Sequence, residues 1–275
     1  MSALLIAALA VVLGSTSASA SPTHGAPSPS VRRSLPAPVP CEGCWEPEPL
    51  TSWQWQLQGR IDTSLDVEMV DVDGFETPRS TVQELQDDGR AVVCYLSAGA
   101  WEEWRPDAAD FPASVRGLPN GWSGERWLDI RRLRVLRPIM RARLDICANK
   151  GFDAVEFDNV DGYQNRTGFP LTAADQLRYN VYLANQAHRR GLGAVLKNDL
   201  GQIQDLLPYF DAALNEQCFQ YDECNRLRPF VTAGKAVFTV EYHLELEEFC
   251  PQAAALGLNS LKKDLRLDAW RRACP

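Results

Sequence analysis

Five stretches of this chain repeat one order of events. A helical run closes on glycine, the chain turns within two or three residues, and a short apolar run ends in polar residues. They read "DDGRAVVCYLS", "NKGFDAVEFDN", "RRGLGAVLKND", "TAGKAVFTVEY" and "ALGLNSLKKD". Gly89, Gly151, Gly191, Gly234 and Gly257 suit the left-handed position just past a helix, which other residues avoid. A sixth unit, "LLPYFDAALNEQ", stops its helix with Pro208 instead. Between the strands, Met140, Leu144 and Cys147, and again Leu177, Val181, Ala184 and His188, recur at helical spacing. Thr172-x-x-Asp175 is spaced as a capping box, and Thr77-Pro78 places proline at a helix's first position. Two more strands fit in front, "WQWQL" from Trp53 to Leu57 and "VEMVDV" from Val67 to Val72. Eight strands alternating with helices predict a parallel sheet. Their length suits an α/β fold of the (β/α)8 TIM-barrel type over residues 51–275. An open doubly wound sheet is the alternative, but no GxGxxG or P-loop follows any strand.

A barrel of this kind builds its active site at the strand C-termini. Those ends carry Asp71 and Asp73, Tyr95 and Ser97, Asp158 and Asn159, Lys197 and Asn198, Glu216, Glu241, and Lys262. Any one acid could be a rim salt bridge; so many polar ends together argue for a site. Two carboxylates on different strands suit glycoside hydrolysis, where one ionises and the other donates a proton. Asp158 stands among polar neighbours in "EFDNVD", which favours the charged nucleophile. Glu216 is approached through "AAL", which favours the proton donor. Glu156 shares Asp158's side of the strand by period two and is expected one layer down, supporting a lysine.

The rest of the sequence narrows the setting. A net charge of −8 argues against a nucleic-acid partner and tolerates a cationic ligand. Residues 1–20 read as a signal peptide, with the apolar run "ALLIAALAVVLG" and an Ala18-Ser19-Ala20 cleavage site. Residues 21–50 hold eight of the eighteen prolines and read as a linker. A secreted, extracellular protein is therefore expected, with no membrane association after cleavage. In that compartment eight cysteines suggest disulfides. Cys218 with Cys224, Cys250 with Cys274 and Cys94 with Cys147 are plausible pairs, though spacing does not fix them. Cys41-x-x-Cys44 has no second CxxC or His pair to complete a zinc site. Residues 98–130 form a long connection rich in tryptophan, including Trp101, whose rings suit stacking on sugars or filling the loop.

"WQWQL", "CYLSAGAWEEWRPD", "GERWLDI", "VEFDNVDGY", "LKND", "NEQC…YDEC" and "GKAVF…EY" closely resemble glycoside hydrolase family 114, the endo-α-1,4-polygalactosaminidases. The resemblance runs from about Trp53 to Cys274. It implies a (β/α)8 enzyme cleaving internal α-1,4 bonds of galactosamine-rich polysaccharide, with Asp158 and Glu216 as the catalytic pair. Phe157 stands where the family pattern has proline. Asp71, Tyr95, Trp101, Asn159, Lys197, Asn198, Glu241 and Lys262 are expected to bind substrate. A monomer without metal or organic cofactor is expected, acting by a retaining mechanism. Two other readings remain open on the residues alone. One is a metal-assisted hydrolase using Asp158, Glu216, Glu241 and Lys197; the other is a non-catalytic carbohydrate-binding barrel.

Overall fold

The structure, a computed structural model, describes residues 35–275. The signal-peptide reading, and the linker up to residue 34, lie outside the described residues. Eight strands pair in parallel in one sheet: β1 (Trp53–Gln56), β2 (Met69–Asp73), β3 (Ala91–Ser97), β7 (Ala154–Asp158), β8 (Gly193–Lys197), β9 (Ala212–Glu216), β10 (Val237–Glu241) and β11 (Asn259–Lys262). The TIM-barrel expectation holds, with two departures in its regularity. Among the described residues, no helix joins β1 to β2, and none follows β11. The helices present are α1 (Arg79–Asp87), α2 (Leu133–Lys150), α3 (Ala173–His188), α4 (Ile203–Leu206), α5 (Arg228–Thr232) and α6 (Leu246–Leu256). All five glycines read as helix-ending have φ between 70° and 88°. The Thr172–Asp175 capping box opens α3. At α1 the proline sits one step earlier than expected, at the N-cap.

Strand parity sorts the core into two layers. Trp53, Trp55, Met69, Val93, Ala154, Val195, Leu214, Phe238, Val240 and Leu261 fill the barrel's inside. Their alternating neighbours, such as Val92, Cys94, Val155, Phe157 and Val237, pack outward against the helices. Phe157 meets Phe210 edge-on there, so the residue that replaces the family's proline is an outer-layer packing residue. Burying a side chain of this size is worth about 1.5–3 kcal/mol.

The ladder does not run from β11 back to β1 among the described residues. The C-terminal tail fills this seam. Its strand β12 (Arg272–Ala273) pairs antiparallel with β11, and the Leu267 and Ala269 carbonyls accept from the Leu57 and Gln58 amides and the Gln54 side chain. The Trp53 indole donates across the seam to the Asn259 carbonyl at 3.1 Å.

The long connection after β3 folds into an antiparallel sheet of β4 (Ala100–Glu102), β6 (Glu125–Leu128) and β5 (Arg116–Pro119). From residue 35 on, the proline-rich segment lies against the barrel. Tyr209 donates to the Pro36 carbonyl, Val39 N–H donates to Asn185, and His188 faces the Val39 carbonyl. Trp45 packs on the inner cluster at the barrel's floor. Proline composition marks an extended chain, and such a chain can lie on a helix as readily as span a gap. All eight cysteines pair, as Cys41–Cys44, Cys94–Cys147, Cys218–Cys224 and Cys250–Cys274. Among the described residues, no helix is long and apolar enough to cross a membrane.

Candidate active site

Parallel strands present their last inward side chains at one mouth, and here three adjacent ends bring charge together. The β7 carboxylate Asp158 and the β9 carboxylate Glu216 both touch the β8 ammonium. Lys197 Nζ lies 3.0 Å from Asp158 Oδ1, 2.9 Å from Glu216 Oε2 and 3.5 Å from Glu156 Oε1. Below it, 4.5 Å away, is the face of the Trp55 ring. A buried ammonium is costly without compensation, and three carboxylates and a π-face supply it. Burial alone would lower the Lys197 pKa, but Asp158, Glu216 and Glu156 outweigh it and raise it well above the usual value.

One layer down, Glu156 and Asp71 form a buried carboxyl pair. Burial pushes Glu156 up to about 7 despite Lys197. Burial, then the Glu156 charge, raises Asp71 well above the usual carboxylate range. The expectation that Glu156 supports a lysine is met by geometry, its Oε1 lying 3.5 Å from Lys197 Nζ.

The two upper carboxylates are held by donors. Asp158 Oδ2 accepts from Tyr95 Oη at 2.9 Å and Asn159 Nδ2 at 3.0 Å. Glu216 accepts from Tyr242 Oη, and its backbone N–H bonds Asn198 Oδ1 at 3.0 Å. Burial first, then the neighbouring carboxylates, raise both tyrosines, so each remains a hydroxyl at neutral pH. The chain turns sharply after each of these strands. Asn159, Asn198 and Gln217 all take left-handed backbone, at φ 61°, 52° and 62°. Asparagine tolerates that region; glutamine there carries strain of order 1 kcal/mol. Gly99 is also fixed by this turn, since a Cβ on it would lie 1.6 Å from the Asn159 carbonyl oxygen.

A cleft of about 360 Å³ opens over the cluster, with Asp158, Lys197, Glu216, Tyr95, Tyr242 and Trp55 in its floor. Its walls include Trp104 and Trp122, both largely exposed, and Glu125, which burial pushes up to about 7. Arg105 in the wall is held by both Asp73 oxygens, at 2.9 and 2.6 Å, and by Glu102 at 2.7 Å.

Of the eight residues expected to bind substrate, Tyr95 and Lys197 line this cleft and six do not. Glu241 has the opposite strand parity to Val240 and Tyr242, so it points outward. It is fully buried and accepts the Phe219 N–H at 2.8 Å. Lys262, opposite in parity to Leu261, pairs with Glu245 at 2.5 Å. The Trp101 indole donates to the Ala108 carbonyl, and its ring is covered by Arg116. Asp71 lies beneath the floor, and Asn198 braces Glu216 from outside the cleft. Tyr242 and Trp55 are the site residues that sequence reasoning passed over, whereas Trp104 and Trp122 come from the tryptophan-rich connection whose rings suit stacking on sugars or filling the loop. Parity along "VFTVEY" would have found Tyr242.

The glycoside-hydrolase family GH114 model matches residues 37–275. The crystal structure of Aspergillus fumigatus Ega3 in complex with galactosamine is similar, with a TM-score of 0.82 and 37% identity, covering 86% of this chain and 99% of that one. The glycoside hydrolase domain of PelA from Pseudomonas aeruginosa shares the fold, with a TM-score of 0.68 at 15% identity over 81% of this chain and 98% of that one. An uncharacterized protein of Deinococcus radiodurans is 27% identical over 242 residues, 75% of this chain and 78% of that protein. With the family match spanning nearly every described residue, this chain belongs to glycoside hydrolase family GH114.

Proposed function

We propose that the protein is a secreted endo-acting hydrolase that cleaves α-1,4 bonds in galactosamine-rich polysaccharide by a retaining double displacement. The observation that carries this reading is the bridging of Asp158 and Glu216 by the single Lys197 ammonium. Their nearest oxygens cannot be farther apart than the two contacts laid end to end, 3.0 Å and 2.9 Å. That ceiling, which applies to the nearest oxygens, accommodates the separation of about 5 to 5.5 Å between carboxyls in retaining enzymes. The likeness to Ega3, whose structure holds galactosamine, supports the substrate class. Four disulfides suit an oxidising compartment.

In the first step an Asp158 oxygen attacks the anomeric carbon while Glu216 gives its proton to the departing glycosidic oxygen. Glu216 then takes a proton from water, whose oxygen displaces Asp158 and restores the original configuration. Asp158 suits the nucleophile because its side-chain contacts are all donors: Lys197, Tyr95 and Asn159 hold its oxygens in place. Glu216 suits the acid/base because its side chain is the more open of the two, 27% exposed against 18%. Tyr242 can donate or accept, so Glu216 keeps a partner through both protonation states. The Lys197 ammonium lies at the centre of the carboxylates and screens their mutual repulsion.

The test is incubation with defined galactosamine and N-acetylgalactosamine oligomers, with products read by mass spectrometry and first-product anomers by NMR. Internal cleavage with retention is expected, and Asp158→Asn and Glu216→Gln should each abolish it in a folded protein. Azide should rescue the two variants with opposite anomeric outcomes: inversion for the nucleophile, retention for the acid/base. An inverted first product, or no release of new reducing ends, overturns the reading.

A further inference from the structure

The antiparallel sheet inserted after β3 is rooted on the strand that carries the nucleophile. The Ala98 and Gly99 amides, where the insert begins, both donate to the Asp158 carbonyl, at 2.9 and 3.1 Å. A tight turn of the insert, residues 120–125, returns to the same place and is closed by the Glu125 N–H on the Trp122 carbonyl at 3.2 Å. Its Trp122 and Glu125 side chains line the cleft. Resting on the assignment of Asp158 as the nucleophile, we infer that Asn120 in this turn is a further positioning residue, which holds the Asp158 carboxylate through Asn159.

The contacts run in one direction. An asparagine side chain carries two donor hydrogens and an acceptor oxygen, and it supports a carboxylate only when the nitrogen faces it. Asn159 Nδ2 donates to Asp158 Oδ2 and to Ser97 Oγ, both at 3.0 Å, which uses both hydrogens. The Ser97 hydroxyl gives its own hydrogen to the Ala100 carbonyl at 3.3 Å, so it presents lone pairs to Asn159. Asn159 Oδ1 then calls for a donor, and Asn120 Nδ2 supplies one at 3.5 Å. Asn120 is oriented by the turn itself. Its Oδ1 accepts the Trp122 N–H at 3.1 Å, and its Nδ2 also donates to Glu125 Oε2 at 2.6 Å. Flipping either amide would set oxygen against oxygen, Asn159 against Asp158 or Asn120 against Glu125.

The link between the two asparagines is the longest of the series and forms the joint between insert and barrel. The Asn159 backbone is held, at φ 61° and with its carbonyl oxygen 1.6 Å from where a Cβ on Gly99 would stand. What remains to be fixed is the side-chain amide, and Asn120 does that. Without a donor at Oδ1 the Asn159 amide turns more freely, and Tyr95 becomes the steadier of the two donors on Asp158 Oδ2. A misplacement of about 1 Å can cost about 10²-fold in rate, so a partial loosening of the nucleophile should cost about tenfold. Asn159, expected from the sequence to bind substrate, thus serves the nucleophile from beside the cleft.

The experiment is a pair of double-mutant cycles, read by steady-state kinetics on an α-1,4-linked galactosamine polymer with thermal melts to verify folding. Asn120→Ala and Asn159→Gly should each lower kcat about tenfold, with KM within about twofold of wild type. Glycine is chosen at 159 because it accepts the left-handed backbone there. Combined, the two should lower kcat no further than Asn159→Gly alone, because the first acts through the second. Asn120→Ala combined with Tyr242→Phe, which touches Glu216 instead, should multiply the two losses. Asn120→Asp keeps the oxygen that accepts the Trp122 N–H, and with it the turn, but presents oxygen to Asn159; its loss should match or exceed that of Asn120→Ala. A kcat within about twofold of wild type in both Asn120 variants, a loss carried by KM, or multiplying losses in the Asn120–Asn159 pair overturns this inference and leaves the proposed function standing. Substantial activity in Asp158→Asn overturns the assignment on which it rests.

Discussion

Replacing Lys197 with methionine removes the charge and keeps most of the length over Trp55. Its ammonium makes two contacts at about 3 Å and a third at 3.5 Å. At an effective dielectric constant of about 20, a pair 3 Å apart is worth roughly 5 kcal/mol before dehydration of the ammonium is subtracted. Breaking a buried charge cluster from one side costs about 3–5 kcal/mol net. If about 4 kcal/mol of that ordering is lost from the transition state, turnover falls about 10³-fold. The stability loss should depend on pH. Glu156 already has a folded pKa near 7, above its unfolded value of about 4.3. Between those values the folded state binds more protons than the unfolded state, so stability falls as pH rises. Lys197 opposes this shift, and without it the window extends to higher pH. The variant's Tm deficit against wild type should therefore be small near pH 5 and larger at pH 8. Steady-state kinetics on the galactosamine polymer and thermal melts across pH 5–8 measure both effects. Turnover within tenfold of wild type, or a deficit that does not change with pH, refutes the reasoning.

Tyr242→Phe removes one donor from Glu216, and a hydrogen bond to a charged group is worth about 1.5–3 kcal/mol; kcat should fall about 10- to 100-fold, with any loss of folding stability staying within that same range. Trp122→Ala, at a ring 57% exposed, should raise KM for the polymer about tenfold and shift stability by no more than about 0.5 kcal/mol. His188 faces the Val39 carbonyl and the Asp211 carboxylate, both acceptors, so both ring nitrogens donate and the ring is cationic. Burial lowers its pKa, but Asp211 and Val39 outweigh that and raise it. The stability it contributes is complete below about pH 6.5 and is lost as pH rises through the raised value. Hydrogen exchange at the Val39 amide should quicken over that range in the wild type and be pH-flat, after correction for intrinsic rates, in His188→Gln.

Residues that meet inside one ladder were the legible part of the site. Asp158, Lys197 and Glu216 each end an apolar run on the inward parity, and period two also placed Glu156 one step below. The same parity, applied to "AVFTVEY" and "NSLKKD", would have turned Glu241 and Lys262 outward and Tyr242 inward. What a strand cannot announce is the path of a loop. Trp101 and Trp104 stand three residues apart in one stretch, yet the first is tied to the Ala108 carbonyl and the second lines the cleft. The fold of residues 98–130 into an antiparallel sheet depends on pairings across about 25 residues, beyond any local periodicity. The missing helix between β1 and β2 had no helical spacing to mark it. The eightfold count came from the strands alone.

The seam between β11 and β1 gives this barrel a direction in which to come apart. Elsewhere each strand is held on both sides by a continuous ladder, whereas β1 is held on one side only by the tail carbonyls and single side-chain bonds. Native-state hydrogen exchange is governed by the cheapest opening that frees an amide. Leu57 and Gln58 should therefore exchange through a local detachment of the tail, well below the free energy that protects β7 and β8. The Cys250–Cys274 bond fastens the end of that tail to α6. A reductant that opens it should lower protection at the seam first, turning the closed cylinder into a sheet with a free edge.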